Sequence, residues 1–461
     1  MNYKEATEFL LELPDMERTS HGSKARTMSL DAVRALLQRL DNPHLHRKTA
    51  HVTGSKGKGS TSAMLASILA ANCSTSLYSS PHLHSYRERI CLDLHSVSSD
   101  DFASGVEEIK DTVLAVHEGD LGPTSTFGAM CALFFCLNRR HHVQWQIVEV
   151  GMGGTYDATN VFDSKELVII TAVSLEHTNV LGKTTLEIAQ NKAGIIRPGA
   201  AVVLAPQKDP QVSELITRLC KEQGACFVDV GREYAIQQGA FDSVSQTFTL
   251  SPTNHATIPG LKDREFKLKM LGKHQLDNAA TAIAASDLLR ELKLYDCSDR
   301  QVKESIEDVF VPGRFELLRE SPRVLIDGAH NGESMEALVS GVRRHFGTDS
   351  LTFVLGVNLD KDINQILEAI KPACKTLIAT RSVSQKAMDP GLVHTRAQEL
   401  GINSQIADSS DDALKLAMKQ TGESGFVCAT GSLYLVAEVR EHFLGENPPW
   451  SLASSTLKSS S

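Results

Sequence analysis

Two hydrophobic rhythms run along this chain, and the change from one to the other divides it. Beyond Pro312, short β-branched runs at residues 324–326, 351–355, 376–379 and 426–429 alternate with stretches such as 334–346 and 392–400, where apolar residues recur at helical spacing. Strand side chains alternate between faces, whereas helical ones return about every 3.6 residues, so this alternation predicts strands joined by crossover helices in a parallel sheet. Up to about Phe310 the same signals are interrupted by irregular stretches. Runs at 147–150, 168–173 and 202–204 predict strands buried on both faces, and residues 63–71 and 278–292 predict helices. The break falls at Val311-Pro312-Gly313, a Pro-Gly pair after a helical pattern. The expectation is an α/β protein with one domain at 1–311, a smaller one at 312–445, and a Pro- and Ser-rich disordered tail at 446–461.

Composition narrows the function. A length of 461 residues suits two or three domains, and 41% hydrophobic with 22% charged residues excludes wholesale disorder. The net charge of −9 lacks the broad positive field of a nucleic-acid binder, but leaves room for a local basic pocket. The nine cysteines are irregularly spaced, without a Cys-x-x-Cys pair. This argues against a disulfide framework or a structural zinc site and predicts inert thiols in a reducing compartment. Residues 1–14 are acidic and amphipathic without a signal pattern, and the longest nearly apolar run, 127–137, is about half a bilayer span. A cytoplasmic monomer with no membrane partner is expected.

The most informative segment is His51-Val52-Thr53-Gly54-Ser55-Lys56-Gly57-Lys58-Gly59-Ser60-Thr61. A strand leads through glycines, lysines and hydroxyls into a helix. Such a loop turns backbone N–H groups toward an anion and adds the positive end of the helix dipole. Lys58 suits the outer phosphates of a nucleotide, and Ser60 or Thr61 a magnesium ion. The Walker spacing is not kept, because Gly59 stands where a hydroxyl belongs. A Gly/Ser-rich turn without a ligand is the plainer alternative.

The variant Gly-x-x-Gly-Lys-Gly-Ser resembles the loop of the folylpolyglutamate synthase and dihydrofolate synthase family, within the Mur ligase superfamily. Further segments follow in the family's order: Ser79-Ser80-Pro81-His82-Leu83 with Arg87-Glu88-Arg89-Ile90; Glu149-Val150-Gly151-Met152-Gly153-Gly154 with Tyr156-Asp157-Ala158-Thr159-Asn160; and His177 with Leu181-Gly182. Lys192-Ala193-Gly194-Ile195, residues 272–278, Pro312-Gly313-Arg314-Phe315-Glu316 and Asp327-Gly328-Ala329-His330-Asn331 complete the series. The resemblance is weaker in the last third, where Cys428-Ala429-Thr430-Gly431-Ser432 fits the closing strand and turn.

The resemblance implies a P-loop-containing, Mur-ligase-like ATPase domain with a mostly parallel sheet and a smaller Rossmann-like C-terminal domain. It implies an ADP-forming ligase: ATP phosphorylates a folate or dihydropteroate carboxylate, and L-glutamate attacks the acyl phosphate. ATP would be held by Ser55, Lys56, Gly57, Lys58, Gly59, Ser60, Thr61, Asn278, Arg314, Asp327 and His330. Mg2+ would be held by Ser80, Glu149 and His177. Magnesium prefers oxygen ligands, so the His177 assignment rests on the resemblance alone. Lys58, His177 and Lys192 would serve catalysis, Lys192 as a carbamate. Thr124, Ser125, Thr126, Phe127, Tyr156, Asp157 and Ala158 would line the folate side. Lys192 reads alternatively as a surface lysine, Arg314 as a hinge partner of Glu316, and Phe127 as core. Lys56 resembles eukaryotic members and the Asp327 segment bacterial ones, so substrate preference stays open. Rival readings are a muropeptide ligase, against which the Gly-Lys-Gly-Ser form speaks, a P-loop kinase, and a nucleotide-binding module without chemistry.

Overall fold

In a computed structural model the chain is described over residues 1–14, 30–446, 448 and 450–452. The short aliphatic runs of the first part become β1 (Lys48–Thr53), β2 (Thr75–Tyr78), β3 (Ile90–Leu92), β4 (His95–Ser96), β5 (Trp145–Glu149), β6 (Leu167–Ile170), β7 (Ala201–Leu204) and β8 (Cys226–Asp229). They form one sheet in the order β4-β3-β2-β5-β1-β6-β7-β8. Strands β2 to β8 in that order are parallel, and β3 and β4 form an antiparallel edge. Both faces are covered, which is why these strands are aliphatic rather than alternating. Helices Leu30–Arg39, Ser99–His117 and Thr126–Arg140 pack on one side around Phe102, Phe134 and Phe135, and Thr185–Ala193 and Pro210–Glu222 extend that cover. On the other side lie Lys58–Ala70 and Lys273–Glu291, with a small antiparallel sheet of β9 (Tyr234–Phe241), β10 (Gln246–Pro252) and β11 (Arg264–Leu268). The apolar run at 127–137 is a buried helix of this core, and no helix among the described residues is long and apolar enough to cross a membrane.

The regular second rhythm forms β12 (Glu316–Glu320), β13 (Arg323–Asp327), β14 (Leu351–Leu355), β15 (Cys374–Ala379), β16 (Ser404–Ile406) and β17 (Phe426–Thr430), ordered β12-β13-β17-β14-β15-β16. All neighbours are parallel except the β12–β13 pair, and helices cover both faces.

Two sequence expectations need correction. The strand expected to continue to residue 173 stops at Ile170, because the next carbonyls turn toward the glycine loop: Ala172 O accepts the N–H groups of Ser55 and Lys56 at 2.9 and 3.1 Å. The expected tail is not wholly unstructured. Leu452 is 1% exposed, its N–H donates to Leu94 O at 2.9 Å, and its carbonyl accepts Phe310 N–H at 3.0 Å. Trp450 and Leu452 give this Ser-rich stretch enough apolar surface to dock. Residues 453–461 lie outside the described residues.

The two large sheets are joined through polar contacts. Glu88 gathers the N–H groups of Leu83, His84 and Ser85 at 2.7, 3.0 and 2.9 Å, fixing the loop after β2. This loop presents His84 to the last helix, Leu433–Leu444: Nδ1 lies 3.0 Å from Glu441 Oε1 and Nε2 lies 3.2 Å from an Arg440 guanidinium nitrogen. Arg440, 1% exposed, also pairs with Glu316 at 3.0 Å. Elsewhere the β9–β10 turn meets the second sheet's first helix, with the Arg344 guanidinium 4.2 Å from the Phe241 ring centroid.

Candidate active site

The glycine loop leaves the C-terminal end of β1 between β5 and β6, the position at which open α/β sheets place ligands. Gly54 has φ of +147°, and a Cβ there would lie 1.8 Å from Thr171 Oγ1. Gly57 has φ of +87°, and a Cβ there would lie 2.2 Å from Asn278 Oδ1. Larger residues at either point would push the loop off its seat. Gly57 caps helix Lys58–Ala70 without a side-chain hydrogen bond. Among the described residues nothing pairs with the first-turn N–H groups from Lys58 to Ser60, as an anion site requires. Lys58 Nζ folds back to Gly54 O at 2.9 Å.

Strand register sets the acidic side of the site. Glu149 ends β5 opposite Val52, two residues before the loop, and its carboxylate lies 3.6 Å from where a Gly59 Cβ would stand. It is 4% exposed, and among the described residues no side chain hydrogen-bonds to it. Burial raises its pKa to about 7, against the pull of Lys58 and a Ser80 backbone N–H. Across the loop Glu176 receives Lys192 Nζ at 2.7 Å, and the same amine donates to Gly54 O at 2.9 Å. Burial opposes the Glu176 charge, but Lys58 and Lys192 outweigh it and hold that carboxyl below its usual range. Burial lowers Lys192 to about 8 despite Glu176. His177, beside Glu176 with φ of +44°, is also held down by burial.

A single cleft of about 2600 Å³ connects these groups to the second sheet. Arg314, Asp327 and His330 line its far side, while Asn278 stands on the near side against Gly57. Arg314 does not pair with Glu316, which belongs to Arg440. Asp327 Oδ2 accepts Phe315 N–H and Oδ1 accepts Ala329 N–H, both at 2.8 Å, so this carboxylate first shapes the linker. His330 Nδ1 donates to Gly328 O at 2.8 Å, leaving Nε2 as an acceptor, and burial lowers its pKa to about 4.

Not every expected contact faces the cleft. Ser55 reaches the cleft wall, but it spends its hydroxyl on Ser174 O at 2.9 Å and its N–H on Ala172, so it seats the loop. Thr61 is fully buried in the helix and is not on the cleft wall. Thr126 is turned inward: its hydroxyl donates to Leu10 O at 3.0 Å, tying the first helix, Tyr3–Glu12, to Thr126–Arg140. Ser125 caps that helix through Gly128 N–H at 3.0 Å while touching the cleft. Thr124, Phe127, Tyr156, Asp157 and Ala158 line one end, with the Phe127 ring 5.6 Å from Tyr78. Lys192 is 1% exposed, so the surface reading fails.

Residues 106–286 match the Mur ligase middle domain and residues 313–433 the Mur ligase glutamate ligase domain. The chain is 30% identical over 397 residues to the dihydrofolate synthase/folylpolyglutamate synthase of Escherichia coli, covering 85% of each chain. It belongs to the folylpolyglutamate/dihydrofolate synthase family of Mur ligases. The namesake of Bacillus subtilis is 28% identical over 415 residues, 89% of this chain and 94% of its own. In the solved structures, Mycobacterium tuberculosis folylpolyglutamate synthase complexed with ADP and AMPPCP superposes with a TM-score of 0.80 at 27% identity, covering 91% of this chain and 96% of its own. The two-sheet Mur ligase fold is therefore shared.

Within this family fold the magnesium expectation divides in two. Ser80 and Glu149 stand together, His177 stands with Glu176 and Lys192, and Lys58 acts on both groups. Among the described residues no three acidic, His or Cys side chains converge on one point. That donor set fits an ion taking one carboxylate, a hydroxyl, water and phosphate oxygens, which is how magnesium is commonly held. Glu149, buried and costly to ionise alone, is the observation that calls for such a cation. Sequence reasoning missed Glu176; its only signal was an acidic residue directly before His177, just past a buried strand.

Proposed function

We propose that the chain is an ATP-dependent ligase that joins L-glutamate to the carboxylate of a folate or dihydropteroate. What carries the reading is one cleft walled on one side by an uncapped, lysine-bearing helix N-terminus and on the other by the interdomain linker. ATP would span that gap, its phosphates on the N–H groups of Gly57 to Ser60 and on Lys58, with Lys56 and Arg314 adding positive charge. Asn278, Asp327 and His330 would take the nucleoside side. The γ-phosphoryl passes to the acceptor carboxylate and ADP leaves; the glutamate amine attacks the acyl carbon, and phosphate departs as the amide forms. Such a reaction is accelerated mainly by alignment and charge stabilisation.

Magnesium, held by Ser80 and Glu149 with a second position near His177 and Lys192, would supply positive charge to the phosphate oxygens. Carbamylation of Lys192 is part of the proposal, supported by an amine lowered to about 8, which is more readily deprotonated than an exposed lysine. Thr124, Phe127, Asp157 and Ala158 would receive the acceptor. In this reading the protein acts as a cytoplasmic monomer on small molecules, with domains at 1–311 and 312–445. The test is ATP-dependent incorporation of radiolabelled glutamate into dihydropteroate, tetrahydrofolate and its diglutamate. ADP release without labelled product on any acceptor would overturn it.

A further inference from the structure

Behind the acceptor end of the cleft runs a buried chain of polar groups that the ligation chemistry leaves unused. Asp157 Oδ1 receives the Thr159 hydroxyl at 2.5 Å and the Thr159 N–H at 3.0 Å, while Oδ2 receives Met152 N–H at 2.9 Å. Thr159 Oγ1 lies 2.8 Å from His51 Nε2, and His51 Nδ1 lies 2.8 Å from Lys165 Nζ. His51 and Thr159 are fully buried and Lys165 is 6% exposed. Among the described residues Lys165 meets no carboxylate; it also lies 5.5 Å from the Phe162 ring centroid and 3.4 Å from Asn160 Oδ1, which Arg197 holds at 2.8 Å.

Donor and acceptor capacities fix the direction of this chain. As a carboxylate gathering backbone N–H groups, Asp157 can only accept, so the Thr159 hydroxyl donates to it. That hydroxyl then accepts from His51 Nε2–H, which leaves Nδ1 to accept from Lys165. The Gly151 N–H also acts on this carboxylate, so Asp157 is held from several sides while still lining the cleft. A substrate donor reaching it from the cleft, such as the amino and ring N–H edge of a pterin, would meet an acceptor already fixed in orientation.

The chain is also bound to the phosphate loop. His51 and Thr53 lie two apart on one face of β1, and Thr53 Oγ1 donates to Gly153 O at 2.6 Å. One strand therefore carries the nucleotide loop at its tip and holds the acceptor loop, residues 151–160, along its side. We propose that Lys165, His51 and Thr159 are positioning residues for the acceptor substrate, fixing the orientation of Asp157 through a one-directional hydrogen-bond chain. This rests on the reading of Asp157 as substrate-facing in a folate ligase.

The experiment uses the full chain. Thr159→Val and Lys165→Met, each checked for native circular dichroism, should raise KM for the folate acceptor by about tenfold or more, as expected from losing a buried hydrogen bond. KM for ATP and the affinity for ADP should stay within about twofold of wild type, and Thr159→Ser, which keeps the hydroxyl, should restore the acceptor KM. An unchanged acceptor KM in either folded valine or methionine variant, or a serine variant as impaired as the valine one, would overturn the proposal. Should both variants fail to fold, ¹⁵N spectra of the wild type decide, with the His51 signal assigned by its loss in His51→Gln or, failing that, by selective labelling. The chain requires the Nε2–H tautomer, and an Nδ1–H or doubly protonated ring would overturn it. Absence of glutamate incorporation by the wild type would instead defeat the ligase reading, while the tautomer would still be read.

Discussion

Lys192 holds its amine 2.7 Å from Glu176 and 2.9 Å from the carbonyl of Gly54, so one lysine ties the loop after β6 to the phosphate loop. Converting that amine to a carbamate would replace attraction to Glu176 with repulsion. A cation between the two would remove the conflict, which links carbamate formation to magnesium binding.

Lys192→Ala is accordingly expected to lower ligation by at least about a hundredfold. Because the lysine is buried and paired, the variant should also lose about 1–3 kcal/mol of stability, so rates belong well below its melting temperature. Stripping dissolved carbon dioxide should depress wild-type turnover, and bicarbonate should restore it. Normal turnover in folded Lys192→Ala would remove Lys192 from the mechanism.

For the phosphate loop, Lys58→Ala should reduce turnover by about a hundredfold or more, since it deletes the cation nearest the developing phosphate charge. Native circular dichroism should persist, because the Lys58 bond to Gly54 is a single local contact. Near-normal turnover would make the loop a structural turn.

His84 yields a pH prediction. Arg440 can only donate, so His84 Nε2 must accept and Nδ1–H must donate to Glu441; the contact needs a neutral ring. Burial and Arg440 lower its pKa, against the opposing effect of Glu441. Nearby Glu88 is turned to backbone N–H groups, His82 accepts from Arg89, and Glu316 is engaged by Arg440. A histidine depressed in the folded state binds fewer protons than in the unfolded chain, so its contribution is complete above the unfolded pKa of about 6.5 and is lost as pH falls below it. His84→Gln can accept from Arg440 and donate to Glu441 without titrating. Thermal unfolding should therefore fall less steeply below pH 6.5 in this variant; identical slopes would show that His84 is not the sensitive group.

Arg314 and Asp327 face the phosphate loop across the cleft, so nucleotide and acceptor together should draw the sheets closer. Solution scattering with an ATP analogue and folate should show a smaller radius of gyration than the free protein. An unchanged profile at saturation would count against closure.

Much of this was legible because periodicity and strand burial are local properties. The strand at 351–355 and the helix through 334–346 lie within observed elements, and the loop at 54–57 declares itself through glycines that no other residue could replace. Helix Lys273–Glu291 begins five residues before its predicted start, since Gly272 and the polar residues after it give no apolar rhythm. Side-chain direction was less readable. Thr124, Ser125 and Thr126 are consecutive and similar, yet one lines the cleft, one caps a helix, and one is buried against the first helix. Glu176, His51 and Lys165 acquire their roles from partners more than a hundred residues away or across strand neighbours, which no single-sequence pattern displays.

The return of the chain to its first sheet alters what kind of joint connects the two halves. Phe310, where the chain departs, is hydrogen-bonded to Leu452, where it comes back. The backbone thus crosses between the units at two adjacent points rather than one, in addition to the His84–Arg440 and Phe241–Arg344 contacts. Two adjacent attachments allow a swing about the line joining them but oppose twist about any other axis. If nucleotide and acceptor draw the sheets together, that closure would follow one arc and bring Arg314 to face the same stretch of glycine loop.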